Sequence, residues 1–127
     1  MKPKKIISLP KLKKKAWTLI SLWVRSNGSK NEFNQCYTCL KWFDWKYDMN
    51  AGHYIHNKLD FDLNNLKPQC IQCNHYKSGN LGVYGERLIR ENSPIWLEQL
   101  RAKAQIKGNN YSREEVEAVI NKYKNGN

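Results

Sequence analysis

Two methionines, three histidines and four cysteines are all that the 127 residues hold of those types, and the first 31 residues contain no aspartate or glutamate. No apolar run approaches the ~20 residues that a membrane-crossing helix needs. The stretch 16–24 follows a lysine cluster, but Arg25-Ser26-Asn27 offers no A-x-A-like cleavage site after it, so a signal peptide is not expected. The expectation is a cytoplasmic protein with reduced thiols, because C-x2-C spacing suits metal better than disulfides. The missing acids are as informative as the missing spans. Residues 1–31 hold nine Lys/Arg, residues 32–80 hold five basic and five acidic residues, and residues 81–127 hold eight and six. Most of the net charge of +11 therefore lies in one segment and not over the whole surface. Such a run on a neutral module points to phosphate, and so to nucleic acid. The plainer alternative is a solvated tail that aids solubility. A membrane surface fits less well, because the lysines come without a clean amphipathic anchor.

The length is that of one domain. Apolar residues make up 40%, with five Trp and seven Tyr, enough for a small core that a staple would help stabilise. The spacing predicts an α+β arrangement. Residues 1–12, with Pro3 and Pro10, read as an extended basic arm. Trp17, Ile20 and Val24 recur at helical spacing over Lys13 to Arg25, and Asn27-Gly28 ends that helix. Trp42, Phe43, Trp45 and Tyr47 read as one strand and Gly52 to His56 as a second. Residues 57–67 read as a loop anchored by Leu59, Phe61, Leu63 and Leu66. A short helix is expected to start near Asn74 and to break at Ser78-Gly79-Asn80. Leu81 to Glu91 reads as a helix. Ser93 before Pro94 caps the next one, which Gly108 ends. Ser112 to Glu115 is a capping box that opens a last helix reaching about Lys124, appended over residues 108–127 to a domain of residues 13–107.

The cysteines form two pairs, Cys36-Tyr-Thr-Cys39 and Cys70-Ile-Gln-Cys73. Four thiolates at this spacing close a tetrahedral zinc site with no open position, so such a zinc is structural. Two redox pairs are the alternative, and neither pair sits in the βαβ pattern that reading requires. Closing the site brings both ends of the intervening segment to one point. His53, Asn65 and Asn74 are then drawn toward one another.

The order Cys-x2-Cys, His53, Asn65, then Cys70-x2-Cys73-Asn74-x2-Lys77 resembles the HNH nuclease signature, with Asn in place of the final His. Ala51-Gly52-His53-Tyr54, Leu59-x-Phe61, Asn65, Gln69-Cys70, Ser78-Gly79-Asn80, Tyr84 and Leu88 together resemble the NinG/Rap family of phage recombination endonucleases. The likeness covers about residues 13–107. It implies a zinc-stapled ββα-metal core with flanking helices. It also implies divalent-cation-dependent hydrolysis of DNA phosphodiesters in branched intermediates, Holliday junctions among them, in a bacterial host cell.

On that resemblance His53 is the general base, and Asn65 holds its imidazole through the side-chain amide. Asn74 offers an oxygen to Mg²⁺ or Mn²⁺. Lys77, one turn on, contacts a phosphate near the helix N-terminus. Plainer roles stand beside these: a packed histidine at 53, a turn residue at 65, an N-cap at 74. His75 reads as a second ligand to the catalytic cation, a phosphate contact or a solvent-facing helix residue, and His56 as a surface or substrate contact. Gly52 stands where many HNH enzymes carry a metal-binding side chain, so Asp48, Asn50, Asp62 and His75 are candidate replacements. Asp60, where relatives often carry a basic residue, either weakens a phosphate contact or supplies a ligand. Lys4, Lys5, Lys11, Lys13, Lys14, Lys15 and Arg25 are the expected DNA contacts. Paired incision of a junction suits a homodimer. Two other functions fit the same residues: a zinc-stapled DNA-binding module without cleavage, and an HNH homing or restriction enzyme.

Overall fold

The first helix, α1, spans Leu9–Ser26 and buries Leu12, Ala16, Ile20 and Val24, a strict four-residue spacing along one face. The computed structural model describes residues 6–125, so Lys4 and Lys5 lie outside the described residues. Helix α1 begins four residues before the expected start. Pro10 lies in the first turn, where its missing N–H forfeits no intrahelical bond, so it opens the helix where it was read as extended chain. Lys11, read in the arm, is therefore on a packed helix together with Lys13, Lys14 and Lys15, and the Lys13 ammonium donates to the Asn109 carbonyl at 3.4 Å. The helix closes where expected: the Asn27 N–H donates to the Trp23 carbonyl, and Gly28 follows at φ +79°, which favours glycine.

Two small antiparallel sheets follow. Strand β1 (Phe33–Gln35) pairs with β2 (Trp42–Asp44). Strand β3 (Met49–His53) pairs with β4 (Leu66–Cys70), in register from Met49 opposite Cys70 to His53 opposite Leu66. Both expected strands are displaced. The aromatic strand stops at Asp44, where a turn begins, and the second strand lies upstream of its expected position, so His53 is its last residue and not its second. Met49 and Ala51 alternate into the core along β3. Beyond His53 the chain leaves the sheet and passes through positive φ at Asn57 (+62°) and Leu59 (+52°). A 3₁₀ turn, Leu63–Asn65, is capped by the Asp62 carboxylate, which accepts from the Asn64 N–H. After β4 comes a five-residue π-helical turn, Gln72–Tyr76. Asn74 is in the middle of this turn, so it is not the N-cap that the sequence suggested.

Helices α2 (Leu81–Glu91), α3 (Pro94–Lys107) and α4 (Arg113–Tyr123) complete the chain. Their local signals read correctly. Ser93 accepts from the Trp96 N–H, and Ser112 and Glu115 make the reciprocal capping box. The β3–β4 hairpin lies between two apolar layers. On one side Ala51 and Leu66 pack with Ile20 and Val24 of α1 and with Tyr123 of α4. On the other, Leu59 joins Tyr84 and Leu88 of α2 and Leu97 and Leu100 of α3. The Tyr84 hydroxyl donates to the Gly52 carbonyl at 2.8 Å and so ties α2 to β3 beside His53. Helix α4 shares a core with α1, Val116 and Ile120 meeting Leu12 and Ala16, and is part of the body.

Candidate functional site

The sulfurs of Cys36, Cys39, Cys70 and Cys73 all lie within 4.8 Å of one another, and Cys39 and Cys70 are 3.8 Å apart. Zinc–sulfur bonds of ~2.3 Å put the corners of a tetrahedron ~3.8 Å apart, so the cluster fits one ion. Donors already face the sulfurs. The Cys39 amide points to the Cys36 sulfur, the Cys73 amide to Cys70, and the Asn80 side-chain amide to Cys73. Burial pushes the Cys36 thiol up, but hydrogen bonds from the Cys39 amide and the Thr38 hydroxyl pull it down to about 6. Burial raises Cys39, and raises Cys70 to about 12. A cation held among the four sulfurs would favour the thiolate form of the set. Met49, Phe43 and Trp45 pack around the cluster, which closes the base of the hairpin.

His53 stands at the other end of β3, on the rim of a cleft of about 440 Å³ lined by Trp17, His53, His56, Asn57, Asp60, Asn74 and Asn109. Its ring lies against Trp17 of α1, centroids 5.2 Å apart and planes 20° from parallel. Its Nε2 is 2.8 Å from an Asp60 carboxylate oxygen. Among the described residues Nδ1 has no hydrogen-bond partner, and it is not closed off from solvent. The bond to His53, opposed by burial, holds the Asp60 carboxyl below the ordinary carboxylate value, with a smaller contribution from Lys13. Asn109 accepts the Asp60 backbone N–H at 2.9 Å and donates to the Asn57 carbonyl at 2.8 Å, so it fixes both ends of this turn. Asp60 is the only carboxylate among the residues lining the cleft.

The expected site residues are brought together only in part. His53 and Asn74 line one cleft, and His56 lines it too. Asn65 does not hold the imidazole. Its fully buried amide accepts from the Ile55 N–H and donates to the Ile55 and Lys58 carbonyls, so it pins the loop that leads to Asp60. His75 and Lys77 are exposed and line no part of the cleft. His75 packs edge-on to Tyr76, and the Lys77 N–H closes the π-helical turn on the Gln72 and His75 carbonyls. Asp62 is engaged by Lys103 at 2.6 Å, and Asp48 is exposed beyond β2. Asn50 is paired opposite Gln69 within the hairpin. Gly52 is glycine for a packing reason: a Cβ there would meet the Gln69 Oε1 at 1.9 Å. Arg25 is engaged internally, its Nη1 donating to the Trp45 and Lys46 carbonyls at 3.1 and 3.0 Å. Lys11, Lys13 and Lys14 line a second cleft with Trp17, Asp60 and Phe61, which shares Trp17 and Asp60 as walls with the first. Lys15 is exposed on the same helix.

A family model described as bacteriophage Lambda NinG protein matches residues 1–126. The chain belongs to the NinG family. Protein ninG of Salmonella phage P22 is 30% identical over 92 residues, which is 69% of this chain and 43% of that protein. The chain thus spans less than half the length of that relative. No solved structure matches. In this NinG chain sequence reasoning missed Trp17 as a ring partner, Asn109 as a brace and Asp60 as the imidazole's acceptor. The departure from a basic residue at position 60 was the one signal that could have drawn attention to it. No helix among the described residues is long and apolar enough to cross a membrane.

Proposed function

We propose that this NinG protein is an HNH-type endonuclease that hydrolyses DNA phosphodiesters with a divalent cation, selectively on branched recombination intermediates such as Holliday junctions. One observation carries the reading. His53 is a half-buried imidazole lining a polar cleft, held on its face by Trp17 and at Nε2 by a carboxylate, with no hydrogen-bond partner on its second nitrogen among the described residues. A general base needs this: a fixed ring and a free lone pair within reach of water. The order strand, loop, strand, short helix from Met49 to Tyr76, closed at its base by four sulfurs, suits a ββα-metal core. Zinc in that cluster has no open position and stabilises the hairpin.

Asn74 is the oxygen donor suited to a hard cation in the cleft. When bound, Mg²⁺ or Mn²⁺ supplies charge stabilisation at the leaving oxygen. The chain's own part is to orient the imidazole, accept a proton from water, and hold phosphate with Lys11, Lys13 and Lys14 beside the cleft. Selectivity for branched DNA rests on the family resemblance.

The test is incubation with Mg²⁺ or Mn²⁺ on linear duplex, single strands, flaps and four-way junctions, with His53→Ala alongside. Cleavage of junctions by the natural protein, lost in His53→Ala with zinc content and DNA affinity intact, is the expected result. Cleavage by the variant at the natural rate, or cleavage of none of these substrates, would refute it.

A further inference from the structure

We infer that Asp60 is the positioning residue of His53: it fixes the imidazole as the Nε2–H tautomer and leaves Nδ1 as the proton acceptor. The inference rests on the nuclease reading for its catalytic meaning, but its structural content can be tested without it. Neutral imidazole carries one donor nitrogen and one acceptor nitrogen. A carboxylate accepts only, so the 2.8 Å contact makes Nε2 the donor. The lone pair then falls to Nδ1, the nitrogen without a protein partner among the described residues.

The contact is built and not incidental. Leu59, immediately before Asp60, is fully buried at φ +52°, a conformation unfavourable for a leucine that persists only where packing imposes it. Its N–H donates to the Gly108 carbonyl at 2.9 Å, and the next N–H, that of Asp60, goes to Asn109. The linker between α3 and α4 therefore sets the Asp60 backbone, and Asn65 holds the preceding loop. The lowered Asp60 carboxyl agrees with a charged acceptor. In the step this serves, water gives its proton to Nδ1 and its oxygen bonds to phosphorus. The bond from phosphorus to the leaving oxygen breaks, and that oxygen is protonated from solvent. Nε2 keeps its proton, and Asp60 stabilises the imidazolium that forms, as in carboxylate–histidine pairs generally.

Asp60→Asn is the decisive variant. It keeps the shape and the backbone bond to Asn109, while its amide N–H can donate to Nε2 and so favour the wrong tautomer. Ring ¹⁵N NMR of the full-length zinc-loaded protein, at a pH where His53 is neutral, should show a protonated Nε2 and a bare Nδ1. In Asp60→Asn the Nδ1–H form should rise, with cleavage falling about 10²- to 10⁴-fold and Asp60→Glu restoring part of it. An unchanged ring pattern in Asp60→Asn would overturn the inference. So would a variant whose only defect is a higher cation requirement, since Asp60 would then be a metal ligand. If His53→Ala still cleaves, or the natural protein cleaves nothing, the nuclease reading fails instead, and the NMR pattern alone decides the role of Asp60.

Discussion

Adding one methyl group at Gly52 tests how the hairpin seats His53. A Cβ at this position would lie 1.9 Å from Oε1, 2.7 Å from Cδ and 2.9 Å from Cγ of Gln69, so the whole Gln69 side chain must move. It has nowhere free to go. Gln69 is fully buried, and its amide donates to the Thr38 hydroxyl at 3.1 Å and to the Gly79 carbonyl at 2.8 Å. Overpacking of this kind costs ~1–3 kcal/mol, and two buried hydrogen bonds add ~1 kcal/mol each, for a total of about 3–5 kcal/mol. In urea unfolding of the zinc-loaded protein, Gly52→Ala should lower the midpoint by roughly 1–5 M with the slope unchanged. Gln69→Ala removes the obstruction while forfeiting the same two bonds. The double variant should therefore be less destabilised than the two single changes predict together, by about 3–5 kcal/mol, the overpacking and the two bonds otherwise counted twice. A Gly52→Ala midpoint within error of the natural one, or strict additivity in the double variant, would refute the steric reasoning. The prediction bears on function because Gly52 precedes His53. The space that a side chain at position 52 would need is filled by the Gln69 amide.

Other outcomes follow from the same contacts. Cys39→Ser, or removal of metal by a chelator, should collapse the hairpin base, since a structural zinc contributes on the order of 10 kcal/mol or more; loss of near-ultraviolet circular dichroism reads it, and an unchanged spectrum contradicts the staple. Changing Lys11, Lys13 and Lys14 together to Gln should flatten the log–log salt dependence of duplex binding by about 2.7, at ~0.9 per phosphate contact. An unaltered slope would place the phosphates elsewhere. Because the Asp60 carboxyl is depressed by its bond to His53, the stability it contributes is present above the ordinary carboxylate value of ~3.9 and is lost as pH falls below it. Asp60→Asn should show a shallower acid limb in stability against pH, and parallel curves would contradict the pairing. Asn65→Ala strands the Ile55 N–H and the Ile55 and Lys58 carbonyls, and should cost ~2–4 kcal/mol in denaturant unfolding.

Elements with local signals could be read from sequence alone. The caps at Ser93 and Ser112 and the Gly108 stop lie within a turn of what they govern, so α2, α3 and α4 appear where expected. Strands β1 and β4 carry no such signal. Their residues Asn34, Gln35, Lys67, Pro68 and Gln69 show no apolar alternation. The pairings depend on distant partners: buried Asn34 donates to the Arg25 and Asn27 carbonyls, and Cys70 meets Cys36 and Cys39. Pro10 misled in the opposite direction, because a residue that breaks a helix interior is welcome in its first turn. The cysteine cluster was legible because ligand spacing is a property of the chain itself.

The candidate base was legible as a residue, but its partner was not. Asn65 is twelve positions beyond His53 and pairs in type with an imidazole, so sequence pattern favours it. It lies immediately before β4, next to Leu66, which pairs with His53 across the sheet, and from there its amide turns inward to the 55–58 loop. Asp60 reaches Nε2 only because that loop is pinned, Leu59 is forced to positive φ, and the α3–α4 linker receives both the Leu59 and the Asp60 N–H groups. Each condition depends on contacts between segments far apart in the chain, the longest spanning from Leu59 and Asp60 to Gly108 and Asn109. Asn65 thus acts on His53 at one remove: it shapes the turn that delivers the carboxylate. Loss of Asn65 should therefore disturb the ring's tautomer and the fold at every pH, whereas loss of Asp60 should disturb the tautomer and forfeit only the pH-dependent stability of its bond to His53.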